Sequence, residues 1–233
     1  MASAIVATLS NLKHRLLLRT RLKRLIRWMV AWPHDLYWDW RIGAWTGGVI
    51  KTSYKEQGAN NTESIHYGVL RHLFRQIPVR PEDVLVDVGC GKGRVVGWWV
   101  TAGYRNQIIG VELDPRVATA TAARFAGVSN VRVIAGDIIA NFPAEGNVFW
   151  LYNPFDLGVM RDFRDRLKQV GRTHARIVYF NARHMEAFRE DPCFVCEALD
   201  PGWLATCPCY LIQLRGADPA PQGALPVRSD LTN

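Results

Sequence analysis

The stretch Val84-Leu85-Val86-Asp87-Val88-Gly89-Cys90-Gly91-Lys92-Gly93 constrains the fold more than any other part of this chain. Its apolar run predicts a buried strand. Its alternating glycines predict a loop that takes positive φ or lets a ligand approach the backbone closely. A helical stretch to about Ala102 follows, and then the rhythm repeats. Strands are expected at Ile108–Glu112, Val131–Ile134, Val148–Tyr152 and Arg176–Phe180, with helices at Arg116–Phe125 and Leu157–Val170. Strands alternating with helices imply an α/β fold: a doubly wound, mostly parallel sheet, helices on both faces, right-handed crossovers. The segments Cys193–Leu199 and Cys207–Leu214 have no helix between them and predict an antiparallel closure.

Sheets of this kind bind ligands beyond the carboxyl ends of their strands. The glycine loop lies there. Glu112 ends the second strand, where a carboxylate can accept both hydroxyls of a ribose or favour a helix start. Asp137, after Gly136 and the third strand, can accept from an adenine amine or cap a turn. Asn153-Pro154-Phe155 follows the fourth strand and offers an amide, a carbonyl and an aromatic ring, or a turn around a packed Phe. Four such features on one sheet edge favour a ligand over isolated turns. A nicotinamide dinucleotide fits less well, because Arg94 stands where GxGxxG needs its third-Gly spacing.

These residues resemble the ordered motifs of class I S-adenosylmethionine-dependent methyltransferases, over roughly Val84 to Leu214. The resemblance implies a Rossmann-like domain at 83–215, S-adenosylmethionine as cofactor and methyl transfer as the activity. It implies that Gly89, Gly91 and Gly93 border the methionyl part and that Asp87 holds its amino group. Glu112 would take the ribose and Asp137 the adenine amine, with Ile138 against the ring. Asn153, Pro154 and Phe155 would position and cover the acceptor. Tyr67 and His66 are candidates for a lid or proton acceptor, or for packing under the N-terminal helix. The Asn-Pro-aromatic loop implies an amine acceptor, although it has one proline where the fuller amino-methyltransferase motif has two. The arrangement from Asn61 to Gly68 is similar to that of Dot1-like lysine methyltransferases, which implies a protein lysine as one such acceptor. O-methylation of a small molecule is the alternative, as is a non-catalytic protein that keeps the cofactor fold and acts through its basic helix.

The remaining features concern partners. Hydrophobic residues make up 48% and charged ones 21% of 233 residues, enough for one well-cored domain with appendages. The net charge is +8, and residues 1–34 hold seven Lys or Arg and no acid, which leaves +1 elsewhere. A basic amphipathic helix is expected over 10–32, stopped by Pro33. It suits an anionic membrane surface, packing on the domain with a solvated basic face, or, less well, nucleic-acid phosphates. Residues 35–82 read as an aromatic-rich helical cap, with a helix over 62–76 capped by Asn61 or Thr62, and 216–233 as a disordered tail. No apolar run reaches the ~20 residues of a membrane span. The expectation is a cytoplasmic protein, peripheral at a membrane. Five cysteines without a secretory signal suggest reduced thiols. Cys193, Cys196, Cys207 and Cys209 could bind zinc, but they fall in predicted strands as small buried residues, and no metal is expected.

Overall fold

The computed structural model describes residues 2–171 and 174–215, with side chains from Thr20 onward except at positions 21, 24, 50 and 62. The tail expected to be disordered, 216–233, lies outside them.

Helix α1 spans Ala2–Ile42. It continues through Pro33 instead of stopping there. Proline deprives the carbonyl four residues earlier of its partner. That residue is Met29, 58% exposed, so water can take the carbonyl's bond. The segment beyond Pro33 is held by tertiary contacts, packing on α2 (Tyr67–Leu73) and α3 (Arg94–Thr101). Gly97 of α3 marks this approach, since a Cβ there would lie 2.8 Å from Ile42 Cγ2. The helix expected from residue 62 starts only at Tyr67, because β2 (Thr62–Glu63) pairs with β1 (Val49–Ile50).

The main sheet has seven strands: β3 (Val84–Val88), β4 (Gln107–Glu112), β5 (Val131–Ala135), β6 (Val148–Tyr152), β7 (Arg176–Phe180), β8 (Phe194–Leu199) and β9 (Cys209–Leu214). Their order is β5-β4-β3-β6-β7-β9-β8. The pairs from β5 to β7 are parallel, and β9 runs antiparallel between β7 and β8. This is the Rossmann-like sheet with an antiparallel closing strand that the sequence predicts. The chain winds from β3 to β5 one way and then returns to place β6 on the other side of β3. The ends of β3 and its neighbours therefore border the crevice where such sheets bind ligands.

Successive strand residues face opposite sides. Leu85, Ile108, Val148 and Trp150 pack on one face with Trp99 and Leu70. Val86, Ile109, Phe149 and Leu151 pack on the other with Phe163 and Phe188. The outer helices are α4 (Pro115–Arg124), α5 (Leu157–Gln169) and the short α6 (Glu186–Arg189). Cys209 is buried and Cys193 exposed, and no group of three or more metal-ligating side chains forms among the described residues.

Candidate functional site

The glycine loop is folded around the end of β4. Gly89 and Cys90 both donate their amides to the Val111 carbonyl, at 2.9 and 3.0 Å. Gly91 donates to Glu112 Oε2 at 2.8 Å, and Asp114 to Glu112 Oε1 at 3.0 Å. Gly93 has φ 74°, and a Cβ there would lie 2.7 Å from the Phe125 ring. Only glycine meets both conditions. Gly89, also at φ 74°, passes so close to Pro154 that an added Cβ would lie 3.3 Å from its Cβ.

A cleft of about 710 Å³ opens beside this loop. Gly89, Glu112, Asp137, Ile138, Pro154 and Phe155 line it, so the ends of β3, β4, β5 and β6 share one cavity. Asp137 accepts the amides of Ile139 and Ala140 on Oδ1, at 2.8 and 2.9 Å, and its Oδ2 takes no hydrogen bond among the described residues. Phe155 is buried against Phe163, with ring centres 6.0 Å apart.

An adjoining pocket of about 450 Å³ reaches Asp87, Gly89 and Lys92. Asp87 is wholly buried. Desolvation, reinforced by the neighbouring Glu112 charge, pushes its pKa up to about 8, and a bond from the Val96 backbone opposes this. Neither Asp87 nor Glu112 has an ion-pair partner among the described residues. The nearby cations are committed elsewhere, Lys92 Nζ to the Gly47 carbonyl at 2.9 Å and Arg94 to α1. Two adjacent acids without a cation suit a ligand that carries positive charge.

A strap over residues 54–63 roofs the cleft. It is tied to the loop after β6 by four contacts: the Ala59–Phe155 bridge, Asn60 amide to Pro154 carbonyl (2.9 Å), Asn60 Nδ2 to Asn153 carbonyl (3.1 Å) and Asp156 amide to Gly58 carbonyl (2.8 Å). Asn153 has φ 43°, a left-handed conformation that Asn tolerates better than most residues. Its Oδ1 accepts from the buried Tyr179 hydroxyl at 3.2 Å. Asn153 lines a small polar pocket with Asn60, Asn61, Glu63, Asn181 and Arg183, next to the cleft that Pro154 and Phe155 line. Two carbonyl groups of the loop expected to position the acceptor, Asn153 Oδ1 and Pro154 O, thus already accept protein hydrogen bonds.

Tyr67 lies away from the cleft. It is fully buried and lines none of these cavities. Its hydroxyl donates to Asp39 Oδ1 at 2.7 Å, and the Arg94 guanidinium lies 4.0 Å from its ring centre. Burial holds its phenol far above the ordinary range. It packs under α1, the second of the two placements expected from the sequence. His66 is tied to Asp35 Oδ2 at 2.6 Å and faces a separate groove.

The sequence reading missed Glu63 and Tyr152. The Tyr152 hydroxyl donates to Glu63 Oε2 at 3.2 Å, and both residues line the cleft and both smaller pockets. Burial, followed by the Glu63 charge, raises the Tyr152 pKa well above normal. Tyr152 directly precedes Asn153, which was the available signal. Glu63 gave none, because its region read as helix.

Residues 86–152 match the family described as "Methyltransferase domain". Ribosomal RNA small subunit methyltransferase A of Dehalococcoides mccartyi is 33% identical over 81 residues, 35% of this chain and 27% of that protein. The probable ribosomal RNA small subunit methyltransferase A of Methanosarcina acetivorans is 32% identical over 80 residues, 34% and 29% of the two. This chain thus matches under a third of the length of those curated relatives. The crystal structure of TrmN from Thermus thermophilus superposes with a TM-score of 0.52 at 16% identity, over 65% of this chain and 49% of that one, a likeness of fold.

Proposed function

We propose, for a chain that belongs to the class I S-adenosylmethionine-dependent methyltransferase superfamily, that the cleft under the strap holds S-adenosylmethionine and that a polar acceptor is methylated where Tyr152 and Glu63 stand between the cleft and the polar pocket of Asn153. One observation carries this reading. Gly89, Glu112, Asp137 and Ile138, from three successive strand ends, line a single cleft beside the unpaired acid Asp87. Asp87 and Glu112 suit the cationic methionyl end and the ribose hydroxyls, Asp137 Oδ2 the adenine amine, and Ile138 its ring. Bound there, the cofactor supplies a methyl group already activated on a sulfonium.

The protein's part is to orient the acceptor and manage its proton. The acceptor lone pair takes the methyl, the carbon–sulfur pair stays on sulfur, and the acceptor loses one proton. Glu63 is the carboxylate beside the polar pocket able to receive it. An amine acceptor, a lysine side chain among the candidates, is supported by Asn153 and by the negative charge of Glu63. A hydroxyl acceptor is the second reading. It is favoured because Asn153 Oδ1 and Pro154 O are engaged by Tyr179 and Asn60, which leaves Asn153 Nδ2 to donate to an oxygen.

The exposed side of α1 supports peripheral attachment to an anionic membrane. Leu22, Leu25, Ile26, Met29, Trp32, Leu36 and Trp40 recur at helical spacing and are 42–74% exposed. No helix among the described residues is long and apolar enough to cross a membrane.

Incubation with methyl-¹³C-labelled cofactor and fractionated cell extract, followed by NMR of the product, tests the reading. A new N–CH₃ resonance supports the amine and an O–CH₃ resonance the hydroxyl. No incorporation across all fractions, together with no cofactor binding, would overturn it.

A further inference from the structure

Helix α1 is apolar on two sides. Ala31, Trp38 and Ile42 face the domain. The stripe from Leu22 to Trp40 points away from it. Between α1 and the loop before β9 runs a groove of about 880 Å³. Trp28, Ile65, Val69, Phe180 and Leu204 give it apolar walls, Arg27, Ser64, His66 and Thr206 add polar groups, and Tyr152 also lines it. The outer end is latched by Arg27 Nε, which donates to the Trp203 carbonyl at 2.8 Å. Trp28 and Trp203 at that end are 56% and 57% exposed, so the mouth adjoins the outer apolar stripe.

Tyr152 lines this groove, the polar pocket of Asn153 and Arg183, and the main cleft. Tyr152 therefore stands between a groove with apolar walls, open beside an exposed aromatic surface, and the hydrogen-bonding pocket where methyl transfer is proposed. A small polar acceptor would leave the apolar walls of that groove uncovered.

We propose that the acceptor is an amphiphile drawn from a membrane, its apolar chain in the α1 groove and its polar head beside Glu63, Asn153 and Arg183. The proposal rests on the methyltransferase reading and specifies its substrate class. A membrane is the source because residues 1–34 carry seven basic residues and no acid, while the exposed face is rich in Trp and Leu. That combination matches anionic headgroups over an acyl boundary. Seated there, α1 brings the groove mouth to the depth at which lipid chains begin.

The test uses the full chain and two probes, dansyl-labelled lauric acid and vesicles of phosphatidylglycerol with phosphatidylcholine. Ala205→Trp and Thr206→Trp each narrow the groove at lining positions. Thr206 is exposed, so its variant keeps the test valid should Ala205→Trp fold poorly. Saturable dansyl-laurate binding, weakened roughly tenfold by either groove variant with vesicle and S-adenosylmethionine binding unchanged, is the expected result. A Trp32→Ser/Trp40→Ser double variant should lose vesicle binding and keep the probe. Probe binding that ignores both groove variants but falls with the double variant places the chain on the outer stripe and overturns the proposal, as does absence of saturable binding. Failure of wild-type protein to bind S-adenosylmethionine is read in a separate titration and strikes the methyltransferase reading instead.

Discussion

Arg94 Nη2 lies 3.4 Å from Asp35 Oδ2, which ties the first residue after the glycine loop to helix α1. Asp39 Oδ2 stands 3.8 Å from the same nitrogen, and Asp39 is 3% and Arg94 7% exposed. Asp35 also accepts the Tyr67 amide and bonds His66, so α1, α2 and α3 meet at these charges.

Removing the guanidinium from this cluster should be costly. Arg94→Met leaves the buried Asp39 carboxylate with no ion-pair partner among the described residues, and breaking a buried pair in this way costs about 3–5 kcal/mol. Urea denaturation measures it. A loss below about 1 kcal/mol would mean that the cluster is hydrated and weakly coupled.

Asp87 gives stability a pH dependence of defined sign. Its folded pKa is raised to about 8 by burial, while an unfolded Asp titrates near its ordinary value of 3.8. The folded state therefore holds the proton more tightly. The associated stability is fully present below the unfolded value and is lost as pH rises through about 8. Ligand-free protein should lose stability from pH 5 to pH 8.5, and Asp87→Asn should flatten that slope. A cationic ligand favours the ionised carboxylate, so binding at pH 7 should release a proton. Calorimetry in two buffers of different ionisation enthalpy detects it. Proton uptake, or the same release from Asp87→Asn, would remove Asp87 from the ligand's cationic end.

Asn153 adopts a positive φ, so Asn153→Ala would mix lost chemistry with backbone strain. Asn153→Gly removes the amide without that strain. It should leave cofactor affinity within about threefold and lower turnover roughly 10²-fold, as expected when orientation is lost. An equal loss of affinity would move Asn153 into the cofactor pocket.

The sheet was legible because its strands are short apolar runs, four of them followed by a turn or acidic residue that marks the strand end: Gly89 after β3, Glu112 ending β4, Asp137 beyond β5, Asn153 after β6. The antiparallel closure was legible from the missing helix between Leu199 and Cys209. The N-terminal part was less so. Pro33 reads as a helix stop, and only the burial of Asp39 and Arg94, distant in sequence, explains why the helix continues. Tyr67 and Glu63 show the same limit. Both lie in the stretch before the first motif, and long-range contacts alone decide that Tyr67 is core while Glu63 faces the cleft. The Asn153-Pro154-Phe155 loop was recognisable, but its split between the cleft and the polar pocket depends on the strap, which has no sequence period.

Calorimetric titration of S-adenosylmethionine into wild-type protein and Glu112→Ala tests the central claim most directly. Glu112 both lines the cleft and accepts the amides of Gly91 and Asp114, so its loss removes a ligand acceptor and loosens the glycine loop. The expected result is one-to-one binding by the wild type, weakened in the variant by at least about 1.5–3 kcal/mol, the range for a charged hydrogen bond, with the fold retained by circular dichroism. No wild-type binding, or equal affinity in the two proteins, would contradict the assignment of this cleft to the cofactor.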